Sequence, residues 1–245
     1  MKDEASWIES LWVYRFGGRL RRAVATRWRR WLRKIQIALS ADRYAAKEDY
    51  INPQLAVEWW ERHLNNTIFR EVAAGLVPLG RVLDLGCNHG ANSVLMAQQG
   101  YDVTGVDLNA AAIQIANARL ENVPHQISGR LRFCQARLDV LPFSDGTFDG
   151  AFMIDVIEHL YPRDRGVIFN EILRVLKPGG RLLIVTPYEH AYDNHIHHVD
   201  FFDQAKLRSV LEELGLRVLS VERDRRRDDH TPGGHDRLNA LCERP

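Results

Sequence analysis

The sequence of 245 residues has no long apolar run, and this absence limits what the chain does in a membrane. No stretch approaches the roughly 20 apolar residues that a helix needs to cross a bilayer. We do not expect a signal peptide at the N-terminus, because Asp3, Glu4 and Glu9 crowd it and Arg15 interrupts any apolar stretch. The sequence therefore predicts a protein of the cytoplasm, with at most a peripheral contact at the inner face of a membrane.

Cysteine is also scarce. Cys87, Cys134 and Cys242 are the three cysteines, and they lie far apart in the sequence. They favour a reducing compartment without a disulfide framework, and none has metal-ligand spacing. We therefore predict no structural metal site based on cysteine.

Net charge is nearly absent, but the total of +1 hides an uneven distribution. Residues 1–47 carry twelve basic and four acidic side chains, a net of +8, and the other 198 residues carry a net of −7. Trp28, Trp31 and Leu32 fall at helical spacing among the arginines. A basic helix with tryptophan on its apolar face suits docking on the rest of the chain, an anionic membrane surface, or a polyanion such as RNA. We expect residues 1–50 to form this helical extension and residues 51–245 to form the main domain.

The stretch Arg81–Ser93 combines a short apolar run, two glycines and the start of a helical pattern. It predicts a buried strand, a tight turn and a helix, an arrangement in which the backbone comes close to a ligand. Gly86 and Gly90 permit the positive φ angles that such a turn requires. Asp84, two residues before the first glycine, would repel a pyrophosphate but suits a ligand with an ammonium group. A purely structural turn is the alternative.

A second short apolar run, residues 102–107, ends in Asp107, 21 residues after Gly86. A carboxylate at the end of the second strand is where dinucleotide-type folds bind ribose hydroxyls. Together with the Leu-Lys-Pro-Gly-Gly stretch at 176–180, these elements resemble the Rossmann-like S-adenosylmethionine-dependent methyltransferases, type 11, and their ubiquinone-biosynthesis O-methyltransferase-like subgroup. Asn88 departs from the family by replacing its middle glycine. Because asparagine enters left-handed conformations more readily than other residues with a side chain, we expect the loop to form.

From Arg81 onward, strand and helix patterns alternate, which predicts an α/β fold with helices on both faces of a mostly parallel sheet. The resemblance implies seven strands, of which the last is antiparallel. The expected strands are residues 81–86, 102–107, 131–136, 148–154, 181–187, 216–222 and 237–242. The expected helices are residues 91–99, 110–120, 163–176 and 203–214. The charged residues 223–229 are expected to form a solvated hairpin loop.

The resemblance also implies a set of residues that bind S-adenosylmethionine. Asp84 and the backbone of the glycine loop would hold its amino-acid end, Asp107 its ribose, and Leu108 its adenine. At the place of the family's adenine-binding acid the chain has Arg137, so either Asp139 reaches the adenine or the Leu138 backbone acts alone; we favour Asp139. The complete implied set is Asp84, Gly86, Cys87, Asn88, Gly90, Asp107, Leu108, Leu138, Asp139 and Ile154.

The acceptor side is implied by two further stretches. Asp155, after the fourth strand, would face the substrate, and Glu158-His159-Leu160 resembles a motif of the O-methyltransferase subgroup. His159 is a candidate base, because an ordinary imidazole pKa suits proton removal near neutrality, or it organises the loop. In the stretch 190–202, we predict His198 as a second catalytic candidate and His195 and His197 as substrate-binding residues. These histidines could in principle bind a metal with Asp193 and Asp200, but we predict no metal.

The sequence therefore predicts methyl transfer from S-adenosylmethionine to a small or lipid-like acceptor, most plausibly on oxygen. Such a displacement mainly requires that two reactants be held in line. A nicotinamide-dependent oxidoreductase is one alternative, against which the missing G-x-G-x-x-G pattern argues. The other is a degenerate methyltransferase fold that acts as a membrane or RNA adaptor through its basic N-terminus.

Overall fold

A computed structural model of the protein describes residues 77–188, 198–224 and 236–245. These residues form one seven-stranded sheet with the order β3-β2-β1-β4-β5-β7-β6. The strands are β1 Arg81–Leu85, β2 Asp102–Asp107, β3 Leu131–Gln135, β4 Phe148–Ile154, β5 Leu176–Pro187, β6 Arg217–Asp224 and β7 Arg237–Glu243. Neighbouring strands are parallel from β3 to β5, and β7 runs antiparallel to both β5 and β6. The predicted α/β fold with an antiparallel last strand is confirmed.

The helices of the described residues connect these strands. They are α1 Ala91–Gln98, α2 Ala110–Arg119, α3 His125–Ser128, α4 Pro162–Val175 and α5 Gln204–Glu213. Single 3₁₀ turns cover Leu120–Asn122 and Ile157–His159. The chain crosses from β1 to β2 in one direction along the sheet and from β4 to β5 in the other. Right-handed crossovers in opposite directions place their helices on opposite faces of the sheet.

The centre of the sheet is the apolar core. Val82, Leu83 and Leu85 in β1 and Phe152 in β4 have no exposed surface. Strands buried on both faces read as continuous apolar runs, which is why this part of the fold is readable from the sequence. The Tyr101 ring meets Phe152 edge-on, and its hydroxyl donates to the Val77 carbonyl at 2.7 Å. The core therefore holds β1 and β4 in place, and with them the residues at their carboxyl ends.

The structure corrects several predicted boundaries. Strand β5 begins at Leu176, five residues earlier than expected, because Leu176 pairs with Phe148 before an irregularity over 177–180. The helix α4 correspondingly ends at Val175 and begins at Pro162, whose fixed φ suits the first helical turn. Strand β6 extends to Asp224, so Arg223 belongs to the sheet rather than to the expected solvated loop.

No helix of the described residues is both long and apolar enough to cross a membrane. The predicted basic extension, residues 1–50, lies outside the described residues, as do residues 189–197 and residues 225–235. The division into two domains stays a prediction.

Candidate functional site

The loop between β1 and α1 has the conformation that its glycines predicted. Gly86, Asn88 and Gly90 have φ angles of 75°, 49° and 78°. The left-handed backbone at Asn88 confirms that asparagine replaces glycine there without loss of the turn. The amides of Gly86 and Cys87 both donate to the Val106 carbonyl at 2.9 Å, so the loop is attached to β2.

Glycine is required at the two ends of this loop. A Cβ on Gly86 would lie 2.6 Å from a methyl group of Val156, and a Cβ on Gly90 would lie 2.5 Å from the Phe133 ring. Both residues also have the positive φ that side chains disfavour. The close approach of the loop to neighbouring elements therefore depends on the missing side chains.

Asp84 lies at the end of β1, directly below the loop. It is 1% exposed, and the Ser93 hydroxyl donates to its Oδ2 at 2.6 Å. Burial raises the pKa of Asp84 to about 7, although the Ser93 hydrogen bond opposes this and the charge of Asp107 adds to it. A carboxyl group that ionises near neutrality is therefore held in a desolvated position, where a bound cation would favour its charged form.

Asp107 is held rigidly at the end of β2. Its Oδ2 accepts from the Asn88 amide at 2.8 Å, and its Oδ1 accepts from the Asn109 amide at 2.8 Å. Burial raises the pKa of Asp107 as well, against the lowering effect of these amides. Each carboxylate oxygen retains further acceptor capacity, so Asp107 can still receive hydrogen bonds from two vicinal hydroxyl groups.

Two side-chain amide oxygens near the loop suit a polar ligand. Asn88 Oδ1 and Asn92 Oδ1 are buried, and neither accepts a hydrogen bond from any of the described residues. Buried polar atoms are normally paired, so such atoms call for an unseen partner. With two carboxyl groups at adjacent strand tips, this environment fits a ligand that carries an ammonium group and hydroxyl groups.

Asp139, the favoured adenine-binding acid, is engaged by its neighbour. Arg137 donates to both of its oxygens at 3.0 Å, and this hydrogen bonding lowers the pKa of Asp139. The Leu108 carbonyl accepts from the Gln135 side chain at 2.9 Å, and Leu138 is half-buried. Arg137, which stands where the resembled family has an acid, thus forms a bidentate ion pair with Asp139 at the predicted adenine position.

At the carboxyl end of β4, Ile154 is buried and Asp155 takes a left-handed conformation with φ 53°. Arg237 of β7 forms an ion pair with Asp155. Positive φ at a residue other than glycine marks local strain that surrounding contacts must support. The Asp155–Arg237 pair supplies such a contact, and it lies beside the end of β5.

Three side chains converge after this strand. A carboxylate oxygen of Glu158, a ring nitrogen of His159 and a ring nitrogen of His198 lie within 4.8 Å of one another. The two imidazole rings meet nearly edge-on with centroids 4.8 Å apart. Glu158 is 2% and His198 5% exposed, whereas His159 is half-buried. The structure therefore brings together the two predicted catalytic histidines and the carboxyl group of Glu158.

The segment that carries His198 is fastened to the same turn. The amides of Val199 and Asp200 donate to the Glu158 carbonyl at 2.9 and 3.3 Å. Arg165, 4% exposed in α4, forms an ion pair with Asp200 at 2.8 Å, and Lys206 forms another. Asp200 is thereby occupied by cations and is not available for the metal hypothesis considered above.

Comparisons with known proteins show which proteins this chain resembles. The methyltransferase domain family matches residues 83–184. A fatty-acid O-methyltransferase of Mycolicibacterium smegmatis is 34% identical over 144 residues, which cover 58% of this chain and 47% of that protein. Residues 83–184 of this chain are therefore similar to a methyltransferase domain.

Two further similarities agree with this assignment. A ubiquinone biosynthesis O-methyltransferase of Xanthomonas axonopodis is 29% identical over 194 residues, covering 68% of this chain and 79% of that protein. The fold matches a SAM-dependent methyltransferase from Methanosarcina mazei with a TM-score of 0.59 and 22% identity, covering 71% of this chain and 96% of that one. The chain spans about half the length of several of its curated relatives. The oxidoreductase alternative receives no support.

Several residues of this methyltransferase fold were not predicted as site residues. Ser93, Asn92 and Arg237 contact or adjoin the predicted set, and Glu158 was noted only as part of a motif. Arg165 had a readable signal, because it occupies the same helical stripe as the buried Ile168, Phe169 and Ile172. His195 and His197 lie outside the described residues, so their substrate-binding role stays a prediction.

Proposed function

We propose that this protein is an enzyme that transfers a methyl group from S-adenosylmethionine to an oxygen atom of a small or lipid-like acceptor. The observation that carries the proposal is the pair of carboxyl groups, buried Asp84 and half-buried Asp107, at adjacent strand tips beside a left-handed glycine loop. This is the edge of an open α/β sheet at which such folds bind nucleosides.

On this proposal each part of the loop has a distinct role. Asp84 pairs with the ammonium group of S-adenosylmethionine, and Asp107 accepts hydrogen bonds from its ribose hydroxyls. The backbone of Gly86, Cys87 and Gly90 and the Asn88 side chain complete the amino-acid end of the site. Leu108, Leu138, Asp139 and Ile154 are assigned to the remainder of the nucleoside. When bound, S-adenosylmethionine supplies an activated methyl group on sulfur.

The acceptor side is assigned to the carboxyl ends of β4 and β5. His159 and His198 receive the proton that a hydroxyl acceptor loses, and Asp155, His195 and His197 bind the acceptor. The printed names of the relatives include a fatty-acid O-methyltransferase and a ubiquinone biosynthesis O-methyltransferase. We therefore take fatty acids and long-chain phenols as the first acceptor classes.

The direct test is binding of S-adenosylhomocysteine to the purified full chain by isothermal titration calorimetry. We expect the wild type to bind the ligand and Asp84→Ala or Asp107→Ala to bind it at least about tenfold more weakly. Each substitution removes one hydrogen-bonded contact to a charged group, and this loss explains the expected factor. Binding that is unchanged in both variants would remove the assigned site. Transfer of a radiolabelled methyl group to palmitic acid and to a prenylated hydroquinone would then define the acceptor class.

For residues 1–47 we propose a peripheral contact with an anionic membrane surface, which fits a lipid-like acceptor and a cytoplasmic protein. The support is the net charge of +8 and the tryptophan spacing. Co-sedimentation with vesicles that contain 30% phosphatidylserine should lose its signal when this segment is deleted or when salt is raised. Equal binding to neutral vesicles, or binding only to RNA, would contradict the membrane proposal.

A further inference from the structure

The 3₁₀ turn Ile157–His159 buries a carboxyl group whose hydrogen bonding is incomplete. Glu158 Oε2 accepts from the Thr186 hydroxyl of β5 at 3.0 Å. The other oxygen, Oε1, is buried and accepts no hydrogen bond from any residue in the described ranges. A buried carboxylate oxygen without a donor costs free energy unless it is protonated or joined to an unseen partner.

The groups around Glu158 favour its protonated form. Burial raises the pKa of Glu158 well above its ordinary value, and the charge of Asp155 raises it further, whereas its own backbone amide, Thr186 and Arg237 act in the opposite direction. His159 and His198 are the other titratable groups beside it. A carboxyl group and two imidazoles whose polar atoms lie within 4.8 Å of one another are close enough for proton transfer through one water.

We propose that Glu158 is a positioning residue that, with His159 and His198, forms one proton-sharing unit on the acceptor side of the cleft. This deepens the proposed function and rests on it. In the transfer, a lone pair of the acceptor oxygen forms the new bond to the methyl carbon, and the carbon–sulfur bond breaks with its electron pair remaining on sulfur. The hydroxyl proton passes to the half-buried His159, and Glu158 stabilises the imidazolium that forms.

Backbone and side-chain contacts hold His198 beside Glu158. His198 is held in place because Val199 and Asp200 donate to the Glu158 carbonyl and because Arg165 fixes Asp200. The same short turn therefore carries both the carboxyl group of Glu158 and the imidazole of the adjacent His159. It also positions the imidazole of His198, through the backbone hydrogen bonds to the Glu158 carbonyl. A purely structural role would explain the backbone bonds but would not require the three titrations to depend on one another.

The test is a pH titration of the full-length protein labelled with ¹³C at histidine Cε1, followed by NMR from pH 5.5 to 9. His159→Asn and His198→Asn identify the two signals. In the wild type we expect both signals to follow curves with two inflections, because three coupled groups titrate in macroscopic steps. In Glu158→Gln the inflection that Glu158 contributes should be lost and both curves should move to lower pH.

Glu213→Gln is the matched control, since Glu213 lies on α5 and its partner in the structure is Ser209. It should leave both curves unchanged. Should Glu158→Gln fail to fold, Thr186→Val removes only the donor to Oε2 and should displace one inflection while keeping two. Curves that are single-step in the wild type, or unaffected by both variants, would overturn the proton-sharing unit.

Calorimetry with S-adenosylhomocysteine separates this failure from failure of the proposed function. We expect Glu158→Gln to bind that ligand within about twofold of the wild type, because Glu158 is assigned to the acceptor side. Single-step curves in the wild type, together with intact ligand binding, would reject only the proton-sharing unit. Absent ligand binding in the wild type rejects the proposed function, while the NMR curves still decide whether the three groups titrate together. A single tight Zn²⁺ site that abolishes both titrations would replace proton sharing by metal binding and so contradict the proposal.

Discussion

The ionisation of Asp84 should make the affinity for S-adenosylhomocysteine depend on pH. The pKa of Asp84 is raised to about 7 by burial. With that value, roughly a tenth of the protein has a charged Asp84 at pH 6 and roughly nine tenths at pH 8, from the ordinary ionisation equilibrium. If the ligand's ammonium group binds only the charged carboxylate, the dissociation constant should be about tenfold larger at pH 6 than at pH 8. This corresponds to about 1.4 kcal/mol of binding free energy.

The measurement is calorimetry at pH 6, 7 and 8 in two buffers with different ionisation enthalpies. At pH 7 we expect the release of about half a proton on binding, because the ligand converts the protonated fraction to the charged form. Asp84→Asn should bind more weakly at pH 8 and should lose the tenfold pH dependence. Asp102→Asn is the matched control, since Asp102 pairs with Arg132 at 2.7 Å on the side of the sheet where β2 begins.

Two results would refute this reasoning. A dissociation constant that changes less than twofold between pH 6 and pH 8 would mean that Asp84 does not gain a proton-linked partner. An equal pH dependence in the wild type and in Asp84→Asn would assign the titration to another group.

Three further predictions concern stability. The folded-state pKa of Asp84 lies above its ordinary value of 3.8, so its contribution to stability is present below pH 3.8 and is lost as pH rises through about 7. In urea titrations, the unfolding free energy of the wild type should therefore fall by up to about 4 kcal/mol from pH 4 to pH 8, relative to that of Asp84→Asn. If the difference between the two proteins did not change with pH, the burial argument would be contradicted. Gly86→Ala should lower the unfolding free energy by about 1–3 kcal/mol in the same assay, because the new Cβ meets Val156 at a position with a φ of 75°. Gly166→Ala, in open space within α4, is the control and should be neutral or slightly stabilising. Equal effects of the two substitutions would be inconsistent with a required turn at Gly86. Arg165→Leu should lower the unfolding free energy by about 1–3 kcal/mol, a moderate loss because Lys206 still pairs with Asp200. It should also increase the hydrogen exchange of the Val199 amide. Unchanged exchange would show that Arg165 does not hold this segment in place.

The local features of the site were predictable because their causes lie within a few residues. Gly86 and Gly90 take positive φ because they lack a Cβ, and Asn88 because asparagine tolerates that region; Asp84 and Asp107 lie at the ends of apolar runs that form buried parallel strands. The early start of β5 has a cause that is not local. Strand β5 begins early because its partner Phe148, 28 residues away, accepts Leu176 into the sheet, and no local signal carries that pairing.

The sequence by itself determined the order of strands and helices, the left-handed loop and the two acidic strand tips, since periodicity and backbone sterics are encoded in adjacent residues. Only the tertiary structure decided the rest. It buried Asp84 beside Ser93, paired Asp155 with Arg237 across 82 residues, and placed Glu158 against His198. Those outcomes depend on desolvation and on contacts between strand ends, and both exist only after the sheet has assembled.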